Sequence, residues 1–357
     1  VEDLIFFGEL PPDVVHGVSI SNDINVNILE RHFNITKICY DSGYGKESNY
    51  NKKFRVLINL IGSMRYAFKK KKEINPTYFY FSLSLTNFGL LRDLVMIVWV
   101  KFLFNNMKIV THVHRGDFHD FFVKSMCRLL LLKTLRKFVQ NFIFLSHDNE
   151  VGKLLGDDCV HILENVIEEV DESELEPWVK CGENIRLLYF SNIIREKGVF
   201  EIISAFRMLS RDFSALELTF CGLPQDASIL NEINAASEGL SIEVLEPPVS
   251  LACKYNTFRR SDIFILPSHN EGQPLSIIEA MYNGLAVVAS DVGYIPEMFD
   301  ENYAFICKPK NVSSLYDTLK LCIESNYTAI GCENRNYYFQ RYSNIRHEEK
   351  IKEIFEV

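Results

Sequence analysis

Residues 261–297 read SDIFILPSHNEGQPLSIIEAMYNGLAVVASDVGYIPE, two apolar runs separated by a helix-compatible segment. Ile263 to Leu266 is an apolar run closed by Pro267, the pattern of a strand buried on both faces of a parallel sheet. Pro274 suits the first turn of a helix, where its missing N–H costs nothing. Asn283-Gly284 suits the end of that helix, since glycine is the usual residue just past a helix C-terminus. A second apolar run, Leu285–Ala289, follows at once. Strand, helix and strand in close succession form the repeating unit of an α/β sheet.

Two glutamates flank the apolar part of this stretch. Glu271 falls on the loop leaving the carboxyl end of the first strand, the end at which such sheets bind ligands. Glu279 lies about one and a half turns inside the helix, at roughly 3.6 residues per turn, among Leu275, Ile278, Ala280 and Met281. An acid beside a helix start is accounted for by the helix dipole, worth about 0.3–1 kcal/mol. One inside an apolar helix must face water or meet a polar partner. Spacing alone weighs solvent and ligand evenly.

The same alternation extends in both directions. Downstream of a polar, acidic linker at 164–183 (ENVIEEVDESELEPWVKCGE), strands are expected at Leu187–Phe190, Leu216–Cys221 and Ile242–Leu245, with helices at Gly198–Leu209, Ala227–Ala236 and Ala252–Arg259. Upstream, strands are expected at Leu4–Phe7, Ile35–Tyr40, Thr77–Phe81, Met107–Val113 and Phe142–Ser146. Helix-compatible segments lie between them at Ile24–His32, Leu60–Lys72, Leu90–Phe104 and Phe121–Val139. Two successive α/β units imply two Rossmann-like domains facing a cleft.

Composition bounds what such a chain does. It has 357 residues, 47% hydrophobic and 24% charged, enough for two domains with sizeable cores. It begins at Val1 without an initiator Met, so the native start is expected upstream, and what is present shows no signal-peptide pattern. The longest apolar segment, Leu90–Phe104, is interrupted by Arg92, Asp93 and Lys101 and reads as a buried or partly buried helix rather than a membrane span. Nine cysteines stand singly, without zinc-site or redox spacing, which points to a reducing, cytoplasmic compartment. Net charge is −9, divided unevenly: residues 1–168 hold 21 Lys and Arg against 18 Asp and Glu, residues 169–357 hold 17 against 29. A basic half and an acidic half suggest different partners. With a pI near 5.6 and no RNP-like or helix-turn-helix signal, no nucleic-acid partner is expected. The stretch SGYGKES at Ser42–Ser48 is not a phosphate loop, because Lys46 precedes Glu47 instead of Ser or Thr.

Ser261–Glu297 resembles the donor-binding segment of retaining GT-B glycosyltransferases of family 4. It has the strand ending in Pro-Ser, two glutamates with seven residues between them, Glu-Ala-Met, a glycine, a Val-Val strand and a glycine turn ending in Pro-Glu. The resemblance implies that Glu271 contacts hydroxyls of the donor sugar and Glu279 the ribose hydroxyls of the nucleotide. Carboxylates suit this task as acceptor-only groups forming strong bonds to hydroxyls. It also implies that backbone N–H groups at Gly272, Gln273, Pro274 and Leu275, around the helix N-terminus, hold the diphosphate, with proline contributing only its backbone position.

A second segment, YFSNIIREKGVFEIISAF, matches the family at Lys197-Gly198, which assigns Lys197 to the diphosphate. The family's arginine position is Asn192 here, and Arg195 is the nearest substitute. A solvated loop is the plain alternative for this charged turn. FCGLPQ places Gly222 in a glycine loop near the nucleotide. In the first half, GELPPDVVHGVSISNDIN makes Gly17 the glycine that lets the backbone approach the donor phosphates, with Gly8 a poorer candidate. THVHRGDF places His114 toward the cleft. His112 and His114 share one side of a strand, but without an adjacent third ligand they are not taken as a metal site. Glu164-Asn165-Val166 stands where the family has a Pro-Asn-Gly hinge.

The expectation is therefore an α/β, GT-B chain: an acceptor-binding Rossmann-like domain at 1–168, a donor-binding one at 169–335, and a helix at 336–357 crossing back to the first. Its expected activity is metal-independent, cofactor-free, retaining hexosyl transfer from a nucleotide sugar to a glycan acceptor. A UDP-sugar is favoured as donor, with GDP-mannose the alternative, and the acceptor is expected to be lipid-linked in bacterial surface polysaccharide (O-antigen or capsule) synthesis. Other GT-B chemistry, inverting transfer or nucleotide-sugar epimerisation, and an inactive binding protein are the competing readings. The basic run Lys69–Lys72, with Lys52, Lys53, Arg55 and Arg65 near it, is either a solvated face or a peripheral contact with an anionic membrane, where each basic residue adds roughly 1 kcal/mol.

Overall fold

The computed structural model describes residues 1–40, 49–177, 184–299 and 304–357, with the side chains of 49–56 and 304 left aside. The Ser42–Ser48 stretch and the side chains of Lys52, Lys53 and Arg55 lie outside the described residues. The chain divides into one unit of Val1–Asn165 with Ile345–Val357, and a second of Val166–Asn344.

The first unit holds six parallel strands: β1 (Glu2–Gly8), β2 (Phe33–Cys39), β3 (Pro76–Ser82), β4 (Lys108–Val113), β5 (Asn141–Phe144) and β6 (Val160–Ile162), ordered β2-β1-β3-β4-β5-β6. Its helices are α1 (Gly17–Leu29), α2 (Asn49–Lys70), α3 (Asn87–Leu103), α4 (Phe118–Val123), α5 (Met126–Leu135) and α6 (Asn149–Leu155). Side chains alternate across a strand, so β1 feeds two cores. Ile5 and Phe7 join the core beneath α2, α3 and α5, while Leu4 and Phe6 join the one beneath α1.

The second unit repeats the architecture with β7 (Ile185–Phe190), α7 (Val199–Asp212), β8 (Leu216–Cys221), α8 (Ala227–Ala236), β9 (Ile242–Leu245), α9 (Leu251–Arg259), β10 (Ile263–Leu266), α10 (Leu275–Tyr282), β11 (Ala286–Ser290), β12 (Ala304–Cys307), α11 (Val312–Glu324) and α12 (Tyr327–Arg341). Its parallel sheet is ordered β12-β11-β10-β7-β8-β9. The chain winds outward from β7 through β8 to β9, then returns to the other side of β7 with β10. The switch point of this sheet therefore lies between β7 and β10.

The return of the C-terminal segment is present, but it begins later than expected. Asn336 lies in α12, which packs on α10 and β11 of the second unit. Only α13 (Asn344–Phe355) belongs with the first. There Ile351, Ile354 and Phe355 enter the core under α1, with Phe355 edge-on to Tyr78 and Tyr80 at 5.3 and 5.5 Å. The expected boundary after residue 168 also falls slightly earlier, after Asn165, because Ile167 already packs in the second unit's core.

Three helices differ from expectation, the first being α2, which begins at Asn49 instead of Leu60. Phe121–Val139 is not one helix: Ser125 takes an extended backbone conformation and separates α4 from α5. The helix expected from Ile24 starts at Gly17, capped by His16, whose Nδ1 accepts from Ser19 N–H at 3.3 Å. All cysteines among the described residues are free thiols. No helix among them is long and apolar enough to cross a membrane.

Candidate functional site

The switch point of the second sheet gathers most of the expected residues. Lys197 closes a short turn after β7, and Glu271 lies on the loop after β10, its neighbour in the sheet. Their side chains meet in an ion pair, and Ser268 Oγ–H donates to the same Glu271 oxygen at 2.7 Å.

This meeting is built by glycines and backbone bonds. Gly198 has φ +78°, and a Cβ there would lie 2.4 Å from Pro267 O, so only glycine lets the Lys197 turn settle on the end of β10. His269 N–H donates to Glu196 O at 2.8 Å, tying the two loops together. The His269 ring lies 2.8 Å from Glu201 in the first turn of α7. On the other side Gly293, with φ +56°, packs against Glu271 O, where a Cβ would come within 2.1 Å. Tyr294 N–H donates to Gly272 O at 3.1 Å. The Glu271-Gly272 backbone is thereby clamped from two directions.

Glu279 lies on the buried face of α10, 6% exposed. Its partner is Lys254 of α9, whose ammonium donates to Oε1. Lys254 also stands 5.2 Å from the ring centre of Phe190, the last residue of β7. This places the second lysine–carboxylate pair in the same region of the unit. Sequence reasoning missed Lys254. The signal available was indirect: a carboxylate inside an apolar helix needs a cation, and nothing local said which.

The remaining expected residues of this unit separate into two groups. Gln273 is buried, and Gly272, Pro274 and Leu275 are partly buried at the start of α10, with Pro274 at the N-cap and no side-chain cap. Gly222 follows β8 and packs so tightly on Ser191 O that a Cβ would fall 1.8 Å away. Asn192 is exposed beside it, its carbonyl accepting from Tyr189 O–H at 2.7 Å. Arg195, by contrast, does not join Lys197. Its guanidinium pairs with Glu232 of α8 and lies 4.8 Å from the Phe200 ring.

Gly17 and His114 belong to the first unit. Gly17 opens α1, and a Cβ there would meet no described atom within 4 Å. His114 follows β4 and stacks on His112 with ring centres 4.0 Å apart. Burial lowers the His114 pKa to about 3, helped by the nearby His16. His112 is driven well below the ordinary histidine range by burial, then by His114 and His347. Its Nδ1 lies 2.9 Å from Tyr80 Oη. His347 of α13 is also held down to about 3, chiefly by burial, with its Nε2 2.6 Å from Asn25 Oδ1. No group of three His, Cys, Asp or Glu residues suited to a metal ion occurs among the described residues.

Comparison with known proteins bears on this geometry. Residues 171–340 match the family model of glycosyl transferases group 1. A Bacillus subtilis (strain 168) protein described as a putative teichuronic acid biosynthesis glycosyltransferase is 28% identical over 132 residues, 37% of this chain and 31% of that protein. An Escherichia coli UDP-Gal:alpha-D-GlcNAc-diphosphoundecaprenol alpha-1,3-galactosyltransferase is 28% identical over 105 residues, 28% of this chain and 26% of that protein. The chain thus matches about a third or less of the length of these relatives. Sucrose-phosphate synthase from Thermosynechococcus elongatus superposes with a TM-score of 0.76 over 99% of this chain and 98% of its own, at 12% identity. That likeness shows the fold, which is of the GT-B type.

Proposed function

We propose that this chain, whose residues 171–340 match the family model of glycosyl transferases group 1, moves a hexosyl group from a nucleotide sugar to a glycan acceptor with retention at the anomeric carbon. The observation that carries this reading is the pairing of two carboxylates with two lysines near one switch point, Glu271 with Lys197 and Glu279 with Lys254. Each pair suits a ligand that carries both phosphates and hydroxyls. A diphosphate takes the ammonium of Lys197, and sugar hydroxyls donate to Glu271 in its place. Glu279, steadied by Lys254 on one oxygen, accepts from the ribose hydroxyls with the other.

In this mechanism Lys197 stabilises the charge that gathers on the leaving nucleoside diphosphate as the glycosidic bond breaks. The amides at the start of α10 add the positive end of a helix. The acceptor hydroxyl attacks from the face the diphosphate leaves and passes its proton to the departing phosphate oxygen, with no protein nucleophile and no metal ion. His114, neutral at physiological pH because of its burial, offers a hydrogen bond without charge to the reacting sugars.

A UDP-sugar is the preferred donor and GDP-mannose the alternative. The acceptor is a lipid-linked glycan in bacterial surface polysaccharide synthesis, at the cytoplasmic face of a membrane. The descriptions of the Bacillus subtilis relative as a putative teichuronic acid biosynthesis glycosyltransferase and of the Escherichia coli relative as a galactosyltransferase from UDP-Gal to a diphosphoundecaprenol-linked sugar support this choice. Proton NMR of the product tests the stereochemistry: an α-linked donor should give an α-linked product, and a β-linked product would replace this reading with inverting transfer.

One observation favours a second reading, a binding protein without turnover. Arg195, the substitute for the arginine position held by Asn192, is engaged with Glu232 and leaves Lys197 without it. Nucleotide-sugar hydrolysis above the level of a Lys197→Ala control would dismiss that alternative.

A further inference from the structure

Helix α3 is apolar on both sides along most of its length: Arg92 and Asp93 point inward, and Lys101 in its last turn is half-buried with its ammonium donating to Met107 O at 2.5 Å. Arg92 and Asp93 are buried, paired with each other, with the Arg92 guanidinium 3.9 Å from the Tyr40 ring centre and Asp93 accepting from Ser84 N–H at 2.9 Å. Leu90, Leu94, Ile97 and Val100 fill the core on the same side. The opposite side presents Phe88, Leu91, Val95, Val98 and Phe102, spaced by three and four residues so that they form one stripe along the helix. Leu91, Val98 and Phe102 are 54, 52 and 70% exposed. A helix apolar all round is ordinarily covered on all sides.

The neighbouring helix continues this surface and supplies its charge. α2 packs against α3, with Trp99 Nε1–H donating to Met64 O at 3.0 Å. It exposes Ile61 and Phe68. Residues 57–72 contain Arg65, Lys69, Lys70, Lys71 and Lys72 and no carboxylate, and Glu73, which follows them, pairs with Lys70. The Lys71 ammonium lies 6.0 Å from the Phe102 ring centre, so this cation borders the apolar stripe itself.

We infer that this face of the first unit docks on an anionic lipid surface, with the α3 stripe entering the headgroup boundary and the lysines at and just beyond the end of α2 binding lipid phosphates. An apolar stripe beside long cationic side chains is the pattern of an interfacial helix, whose lysines keep their charge among headgroups while their stems cover apolar surface. A second copy of the chain fits less well. A two-fold contact through the same face sets like patches together, and these patches carry five cations within residues 57–72. The inference stands on the surface alone and does not depend on the donor reading.

Co-sedimentation of the full chain with vesicles tests it, using phosphatidylcholine alone and phosphatidylcholine mixed with phosphatidylglycerol. Binding to the anionic vesicles should be stronger by on the order of tenfold or more and should fall with added salt. Val98→Glu with Phe102→Glu should reduce it to the level of neutral vesicles. Lys69→Glu with Lys72→Glu, at exposed positions that place no demand on the core, should remove the preference for anionic lipid. Turnover of a water-soluble nucleotide sugar by the same variants should be unchanged, which separates this inference from the proposed activity. Equal binding to both vesicle types, wild-type binding by the variants, or a dimer in sedimentation equilibrium that the Val98 and Phe102 changes abolish would overturn it.

Discussion

Lys254 of α9 donates to Oε1 of Glu279 on α10, joining two helices across 25 residues of chain and giving a buried carboxylate its cation. Removing either member has different consequences. Lys254→Ala leaves the charge of Glu279 buried without this bond and should cost roughly 1.5–3 kcal/mol of stability. Glu279→Gln keeps the shape, should be nearer neutral for folding, and should raise the donor KM by on the order of tenfold. Thermal melts read the first effect and steady-state kinetics the second. Equal stability loss in both variants would mean that the pair is a structural clasp only.

Lys197 and Arg195 are separated by one residue but face different partners. Lys197→Ala should lower kcat by on the order of 10²- to 10³-fold, the range for removing a group that stabilises developing charge. Arg195→Ala, which breaks an exposed pair with Glu232, should change kcat by less than about tenfold. A large loss for Arg195 would place its side chain on the substrate in the working enzyme.

Gly293 and Gly17 offer a matched pair of substitutions. Gly293→Ala adds a Cβ 2.1 Å from Glu271 O at a positive φ and should destabilise the protein by about 1–3 kcal/mol. It should also weaken donor binding by displacing Glu271. Gly17→Ala meets no described atom within 4 Å and should fold as the parent does. Any rise in donor KM for Gly17→Ala then reports a ligand approaching that backbone.

Buried neutral histidines set an acid limit on the first unit. The pKa of His347 is held down to about 3, by burial and then by Lys350, while an unfolded histidine titrates near 6.5. Between these values the unfolded chain binds the extra proton, so stability falls as pH drops from about 6.5 toward 3. His347→Gln should therefore shift the acid-unfolding midpoint of the first unit downward. Circular dichroism against pH measures it, and an unchanged midpoint would remove His347 from the acid response.

The parts of this molecule that were legible in the sequence are those with local causes. β10 and β11 are buried on both faces and read as continuous apolar runs, and Pro274 and Gly284 mark the two ends of α10 with their backbone chemistry. The three-residue β6 and four-residue β12 left no comparable signature, since a short edge strand needs few apolar residues. Lys254 escaped notice because its meeting with Glu279 depends on how two helices pack. The inward charges of α3 could not be read either. Arg92 and Asp93 look like solvent-facing interruptions until Tyr40 and Ser84 are seen to hold them. The break at Ser125 carried no proline or glycine to announce it.

On the reading proposed above, the Lys197–Glu271 and Lys254–Glu279 pairs form one nucleotide-sugar site. A thermal-shift series across UDP-, GDP- and other nucleotide sugars, on the parent and on Glu279→Ala, tests it most directly. A donor at a hundred times its Kd stabilises the folded state by about 2.7 kcal/mol. The melting temperature should rise clearly with a UDP-sugar, or with GDP-mannose as the alternative, and Glu279→Ala should lose that rise. No rise with any nucleotide sugar, or an equal rise in the variant, would contradict this reading.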